Sequence, residues 1–303
     1  MTDTSAPLPL PEIFSDWTRN MRARGLARTT ITSYLQVGLA FTAFLESTAR
    51  PADARTLRRA DIEDYLIGVR EQTSPANEHK HHRQLKQFFR WLVDVEEELV
   101  VSPMAKIDPP RLPKKPIPIV RDDAITAVLE ACAGRGFLAR RDTAIIRLFA
   151  DTGMRLGELA GLGVDDLDWS YEVAHVLGKG SKRRACPFGP KTGDALRRYL
   201  RIRSLQPHTG QPALWIGRMG PLTDDGIARM IRRRAREAGL GHLHPHQFRH
   251  TAAHIWLANG GQEVDLMRLM GWSSRRMVSH YAESAADERA REAHHRMALG
   301  DRL

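Results

Sequence analysis

Cysteine is scarce in this chain of 303 residues, and Cys132 and Cys186 are the only two. They form no C-x-x-C pair, so neither a thiolate zinc site nor a disulfide framework organises the fold. Two isolated thiols suit a reducing compartment, and a cytoplasmic location is expected. No apolar run reaches the roughly 18 residues that a membrane-spanning helix needs. The opening "MTDTSAPLPLPEIFSDW" lacks the basic-then-apolar order of a secretory signal. No G-x-x-x-x-G-K-[ST] loop is present, so the sequence carries no sign of ATP use. Lysine is scarce as well: only 8 of the 46 basic residues are lysine. What is abundant is arginine, and it outweighs the 36 acidic residues to leave a net charge of +10. Such an excess favours a polyanionic partner, nucleic acid first and an acidic membrane second. The forked guanidinium suits bidentate phosphate contact.

Patterning along the chain predicts a mainly helical protein in two domains. Residues 1–10 read as a loose tail, and residues 11–102 as a helical domain. Within it, "TTITSYLQVGLAFTAFLEST" places Ile31, Tyr34, Leu35, Leu39, Phe41 and Phe44 at helical spacing, with Thr29 or Thr30 as N-cap. A later helix puts Leu85, Phe88, Phe89 and Leu92 on its apolar side, and His79, Arg83, Lys86 and Arg90 on another. That stripe either follows a phosphate backbone or is an ordinary solvated face. Residues 103–120 read as an extended linker, since "SPMAKIDPPRLPKKPIPIV" holds six prolines. Lys114 and Lys115 within it would suit a strap across a polyanion. Residues 121–303 return to helical periodicity, with helices expected near 122–133, 139–152, 191–204, 223–238, 246–258, 262–270 and 275–283. The tail after 283 reads as a further helix. One β-like interruption, "WSYEVAHVLGKGSKRRACPFG", reads as a hairpin with glycines at its turn.

Four stretches of the second domain carry candidate chemistry. In "DTGMRLGELAGL", Gly153 ends a helix, Arg155 opens the next, and Glu158 lies three residues on, where a carboxylate can steady a guanidinium. An arginine at a helix start favours a phosphate oxyanion, although a plain surface arginine fits the same pattern. Lys179 sits between two glycines at the hairpin tip, with Lys182 as a nearby competitor. In "HPHQFRHTAAH", His246 and Arg249 are three apart and share a helix side, while His250 and His254 lie on a neighbouring stripe. A helical zinc motif would need a glutamate after the first histidine, which "HTAAH" lacks. In "LMGWSSRRMVSHYAES", Tyr281 stands near the end of a short amphipathic segment beside basic residues.

Taken together, these stretches resemble the tyrosine recombinase (phage integrase) family. The ordered set Arg155, Lys179, His246-x-x-Arg249, Trp272 and Tyr281 carries the resemblance, and it covers roughly residues 121–290. The helical segment 11–102 matches the family's core-binding domain in type rather than in motif. One position departs: the family usually has histidine nine residues before the tyrosine, and this chain has Trp272. The indole N–H can donate to a phosphate oxygen but cannot shuttle a proton.

The resemblance implies a helical, SAM-like core-binding domain followed by a mostly helical catalytic domain with a small sheet. It implies attack on a DNA phosphodiester by Tyr281, giving a 3′-phosphotyrosyl link and a free 5′-hydroxyl. Arg155 and Arg249 would clamp the phosphate, and His246 would accept the phenol proton or donate to phosphate. Lys179 would protonate the leaving oxygen, while Glu158 and His250 would support the site. His79, Arg83, Lys86, Arg90, Lys114, Lys115 and Lys182 are the candidate DNA contacts. Double-stranded DNA with a specific recombination site is the implied partner. The expected assembly is a homotetramer on paired duplexes, monomer or dimer when free, aided by accessory DNA-bending factors. No cofactor, metal or membrane is called for. The biological setting is an element's integration or excision, or chromosome resolution. Alternatives are a type IB topoisomerase and a catalytically silent DNA-binding regulator. A metal nuclease built on Asp165, Asp166 and Asp168 is a weaker one, because those acids have no partner motif.

Overall fold

The computed structural model describes residues 6–112, 118–178, 183–241, 243–298 and 300–302. The chain divides into two compact units, residues 1–114 and 115–303.

Among its described residues the first unit holds four α-helices. In α1 (Leu10–Ala23) the apolar residues Leu10, Ile13, Phe14, Trp17 and Met21 recur at helical spacing and are all buried. Helix α2 (Arg28–Ser47) buries Ile31, Val37, Phe41 and Leu45. Helix α3 (Arg59–Gln72) contributes Ile62, Tyr65 and Leu66. Helix α4 (Pro75–Asp94) begins with proline in its first turn, and the Ser74 hydroxyl accepts the Asn77 N–H at 3.2 Å. Aromatic rings fill the centre, with Trp17 and Phe14 at 4.9 and 5.2 Å from Phe88.

Four expectations for this unit need correction. The tail expected through residue 10 already packs at Leu8, whose N–H donates to Asp53 at 3.0 Å, and Leu10 is fully buried. Helix α2 begins at Arg28 with Ala27 in the cap position, ahead of Thr29 and Thr30. Leu39 is exposed, because it stands two residues from both Val37 and Phe41, about 200° round the helix from each. The proline-rich stretch is also not all linker. Met104 and Ile107 are buried in the core of the first unit. The Ile107 carbonyl lies 3.2 Å from His82 Nε2, and the Pro110 carbonyl 3.3 Å from His79 Nδ1. Prolines forbid a helix here, but an extended chain can still be held by its carbonyls and its apolar side chains.

The second unit contains α5 (Asp122–Glu130), α6 (Phe137–Thr152) and the one-turn α7 (Leu156–Ala160). A three-stranded antiparallel sheet follows, of β1 (Leu167–Asp168), β2 (Val173–Leu177) and β3 (Arg183–Pro187), in that order. Val173 pairs with Pro187 and Leu177 with Arg183, so β2 and β3 pair antiparallel as expected, while the turn at 179–182 lies outside the described residues. Then come α8 (Pro190–Arg203) and a small hairpin of β4 (Ile216–Gly217) and β5 (Gly220–Pro221), which periodicity did not suggest. The chain continues through α9 (Asp224–Glu237), α10 (Pro245–Ala258), α11 (Glu263–Met270) and α12 (Arg275–Met297). Helix α12 is one element of 23 residues, where the sequence suggested two.

The main core of this unit gathers Ile145, Leu148, Phe149, Leu196, Tyr199, Trp215 and Phe248. A smaller apolar cluster joins α10, α11 and α12 through Ala253, Leu257, Leu266, Met270, Trp272, Val278 and Tyr281. Among the described residues no helix is long and apolar enough to cross a membrane.

Candidate active site

The site begins where α6 ends. Gly153 caps α6 in the left-handed conformation at φ 57°. A Cβ there would lie 2.8 Å from both the Ala252 Cβ and the Met270 Cε, so only glycine fits without displacement. Two residues later Arg155 occupies the N-cap of α7. Its backbone N–H donates to Glu158 Oε2 at 2.6 Å and its Nη1 to Glu158 Oε1 at 2.9 Å. The spacing of three that suggested this pairing is thus realised. Arg155 remains the more open partner, its side chain 41% exposed against 5% for Glu158.

Glu158 has a second partner that sequence reasoning missed. Arg184 on β3 donates to it through both Nη1 and Nη2, at 2.6 and 2.7 Å, and through Nε to the Leu269 carbonyl at 2.9 Å. Burial alone would raise the Glu158 pKa. The Arg184 fork and the Arg155 N–H outweigh it and hold the carboxyl at about 2. A usable signal existed: strand alternation puts Arg184 on the same face as the buried Cys186. An arginine on the inward face of a strand needs a buried acceptor.

Arg249, on α10, is only 3% exposed. Its Nη1 donates to the Gly153 carbonyl at 2.8 Å and its Nη2 to the Met270 carbonyl at 2.6 Å. Its guanidinium carbon lies 5.3 Å from the Trp272 ring centroid, a cation–π contact. Burial, then the neighbouring Arg155 and Arg184, push its pKa down to about 10, so it is still cationic at neutral pH.

Trp272 follows Gly271, the left-handed cap of α11 at φ 63°. Its ring stacks on that of Tyr281 at 5.0 Å and 15°. Tyr281 is 3% exposed. Its hydroxyl lies 2.6 Å from His250 Nδ1, and burial raises its pKa against the opposing pull of Arg249. His250 meets His246 edge to face, at 4.7 Å between ring centroids. His246 is the more exposed of the two. Partial desolvation, then Arg249 and Arg155, lower its pKa, so its ring is neutral at pH 7.

Seven candidates therefore meet in one place: Arg155, Glu158, His246, Arg249, His250, Trp272 and Tyr281. Lys179 and Lys182 lie outside the described residues, as do Lys114 and Lys115. His244 is at the N-cap of α10, where its N–H donates to Gln247 at 2.6 Å, and His254 is buried. The stripe on α4 is uneven. Arg83 and Lys86 are exposed, Arg90 pairs with Asp94 at 2.9 Å, and His79 is half-buried against Pro110. Two of the three acids considered for a metal serve turns. Asp166 accepts the Gly163 N–H at 2.8 Å, and Asp168 accepts those of Ser170 and Tyr171 at 2.9 and 3.1 Å.

The mainly helical fold has clear counterparts among solved structures. A XerA recombinase matches over 95% of this chain and 98% of its own, at 25% identity and a TM-score of 0.53. A XerH site-specific recombinase, bound to a palindromic difH substrate, gives a TM-score of 0.75 over 94% and 83% of the two chains; at 17% identity it speaks for the fold alone. Residues 119–288 match the phage integrase family and residues 13–98 its N-terminal SAM-like domain. The chain belongs to this family, the tyrosine recombinases. Among curated relatives, tyrosine recombinase XerD of Listeria monocytogenes is 27% identical over 254 residues, 82% of this chain and 85% of its own. Tyrosine recombinase XerC of Corynebacterium efficiens is 38% identical over 161 residues, 52% of each chain, and that of Azotobacter vinelandii 37% over 62% of each. The chain thus spans about half to three-fifths of the length of these XerC relatives.

Proposed function

We propose that the protein is a site-specific DNA recombinase that cuts and rejoins DNA through a covalent link to Tyr281. The observation that carries this reading is the convergence of Tyr281, Trp272 and Arg249, with Arg155 and Arg184 joined through Glu158.

The chemistry follows from that convergence. Tyr281 is neutral at pH 7, so attack on phosphorus needs a proton acceptor and needs charge opposite the five-coordinate phosphate. Arg249 supplies charge from a fixed position, since two of its N–H groups are already anchored on carbonyls. Arg155, exposed and oriented by Glu158, supplies a second fork. A well-aimed donor of this kind is worth about 3–4 kcal/mol in the transition state. Trp272 fixes the ring plane of Tyr281 by stacking. In this reading Lys179 would protonate the departing 5′ oxygen, and His246 would donate to phosphate or take the phenol proton. In this reading guanidinium charge does what a divalent cation does elsewhere, and the phosphotyrosyl bond stores the energy for rejoining. Neither metal nor ATP is then called for.

The partner in this reading is double-stranded DNA carrying a specific site, met in the cytoplasm. Four protomers on two duplexes allow strand exchange, with DNA-bending factors as helpers. The exposed Arg83 and Lys86 on α4 would contact backbone phosphates.

The test is a covalent-trapping assay. Duplexes selected by binding from a random-sequence pool are nicked and labelled, then mixed with protein in EDTA. Wild type is expected to give a protein–DNA band on denaturing gels, and Tyr281→Phe none. A duplex that is bound yet never trapped would instead make this a silent DNA-binding regulator.

A further inference from the structure

We propose that His250, rather than His246, accepts the Tyr281 proton during cleavage; this rests on the recombinase reading above. His250 Nδ1 is 2.6 Å from the Tyr281 hydroxyl, within reach for direct proton transfer. The geometry is held from both sides. His250 belongs to α10 and Tyr281 to α12, helices packed through Leu257, Val278 and their neighbours. The Trp272 stack fixes the ring plane of Tyr281, which aims the hydroxyl. His246 lies one turn nearer the start of α10 and feels Arg155 and Arg249 directly, which suits a donor to phosphate.

Among the described residues around the pair, Arg249, Arg155 and Arg184 are cations, His246 is the neighbour of His250 on α10, and Glu158 is paired with two of the guanidiniums. The role requires the tautomer with its proton on Nε2, leaving the Nδ1 lone pair for the phenol. In the forward step the Tyr281 oxygen bonds to phosphorus while its proton passes to Nδ1. The bond from phosphorus to the 5′ oxygen breaks, and that oxygen takes a proton from Lys179. The new imidazolium faces a phosphorane that carries extra negative charge. Rejoining reverses each transfer: the 5′-hydroxyl returns its proton to Lys179, and the departing phenolate recovers its own from His250.

Single-turnover cleavage of the nicked duplex, followed against pH, tests this. His250→Asn places an amide near the Nδ1 position, so it keeps a hydrogen bond to Tyr281 but cannot take a proton. Wild type is expected to rise with pH to a plateau through one imidazole titration. His250→Asn is expected to bind DNA normally, cleave about 100-fold more slowly at neutral pH, and climb with pH without a plateau. A substrate with sulfur in place of the 5′ bridging oxygen needs no leaving-group proton, so it should leave the His250→Asn defect in place. Three results overturn the proposal. One is His250→Asn within threefold of wild type with its plateau kept, which makes His250 a positioning residue. Another is full rescue by the sulfur substrate, which moves His250 to the leaving group. The last is a plateau lost in His246→Gln and retained in His250→Asn. If wild type itself is never trapped, the recombinase reading fails first and takes this proposal with it.

Discussion

Replacing Arg184 by methionine isolates the interaction on which the cluster is built. The change keeps the bulk of the side chain and deletes its fork. Glu158, 5% exposed, then loses two charge-assisted bonds of 2.6 and 2.7 Å and is left with Arg155 alone. Removing one partner from a buried pair costs about 3–5 kcal/mol, because the other charge stays desolvated. The carboxyl gives a second figure. A pKa moved from 4.5 to about 2 corresponds to roughly 3 kcal/mol at 1.36 kcal/mol per unit, part of it owed to Arg155. Both routes point to about 3 kcal/mol. For a folding unit of this size each kcal/mol lowers Tm by about 2–4 °C, so calorimetry should show a drop of about 6–12 °C. Adding Glu158→Leu to the variant removes the stranded charge, and at least half of the loss should return. A single variant melting within 2 °C of wild type would refute the argument. So would a double variant worse than the sum of its parts.

Acid titration probes the same carboxylate. Between about 2 and 4.5 the unfolded chain binds a proton at Glu158 that the folded chain does not. Its contribution is therefore complete above pH 4.5 and fades as pH falls toward 2, which urea melts across that window should record, with a flatter slope in Arg184→Met. Gly153→Ala forces a Cβ into Ala252 and Met270 at a positive φ, so a loss of about 1–3 kcal/mol is expected in denaturant melts. It should also lower covalent trapping, since the Gly153 carbonyl holds Arg249. For DNA binding, Arg83→Gln and Lys86→Gln should each reduce the salt slope of log affinity by about 1, measured by fluorescence anisotropy across a salt series. An unchanged slope would return both residues to an ordinary solvated face.

Local chemistry made much of this molecule readable. Helical spacing located α6, α8, α9, α10 and α11 to within about two residues, because each has a continuous apolar face. The Arg155–Glu158 pair was legible because its partners are three apart. Interactions between distant segments were not. Arg184 and Glu158 are 26 residues apart, and His250 and Tyr281 are 31 apart. No periodicity joins such pairs, although the inward face of β3 already asked for an acceptor. The linker was read too generously for a related reason. Proline content says that a stretch is not helical, but it does not say whether Met104 and Ile107 find a core to enter. The length of α12 was missed because its residues beyond 283 carry little apolar periodicity.

The anchoring of Arg249 ties two properties to one side chain. Met270 is the last residue of α11 and Gly153 the residue just past α6, so this guanidinium closes the carbonyl ends of two helices at once. It is a keystone as much as a charge. A substitution at 249 meant only to silence chemistry would also loosen the seam where those helix ends meet. A lysine, with one ammonium and no fork, cannot span both carbonyls in the same geometry. On the recombinase reading proposed above, an inactive variant for binding or assembly studies is therefore better made at Tyr281, where phenylalanine keeps the stack on Trp272 and removes a single oxygen.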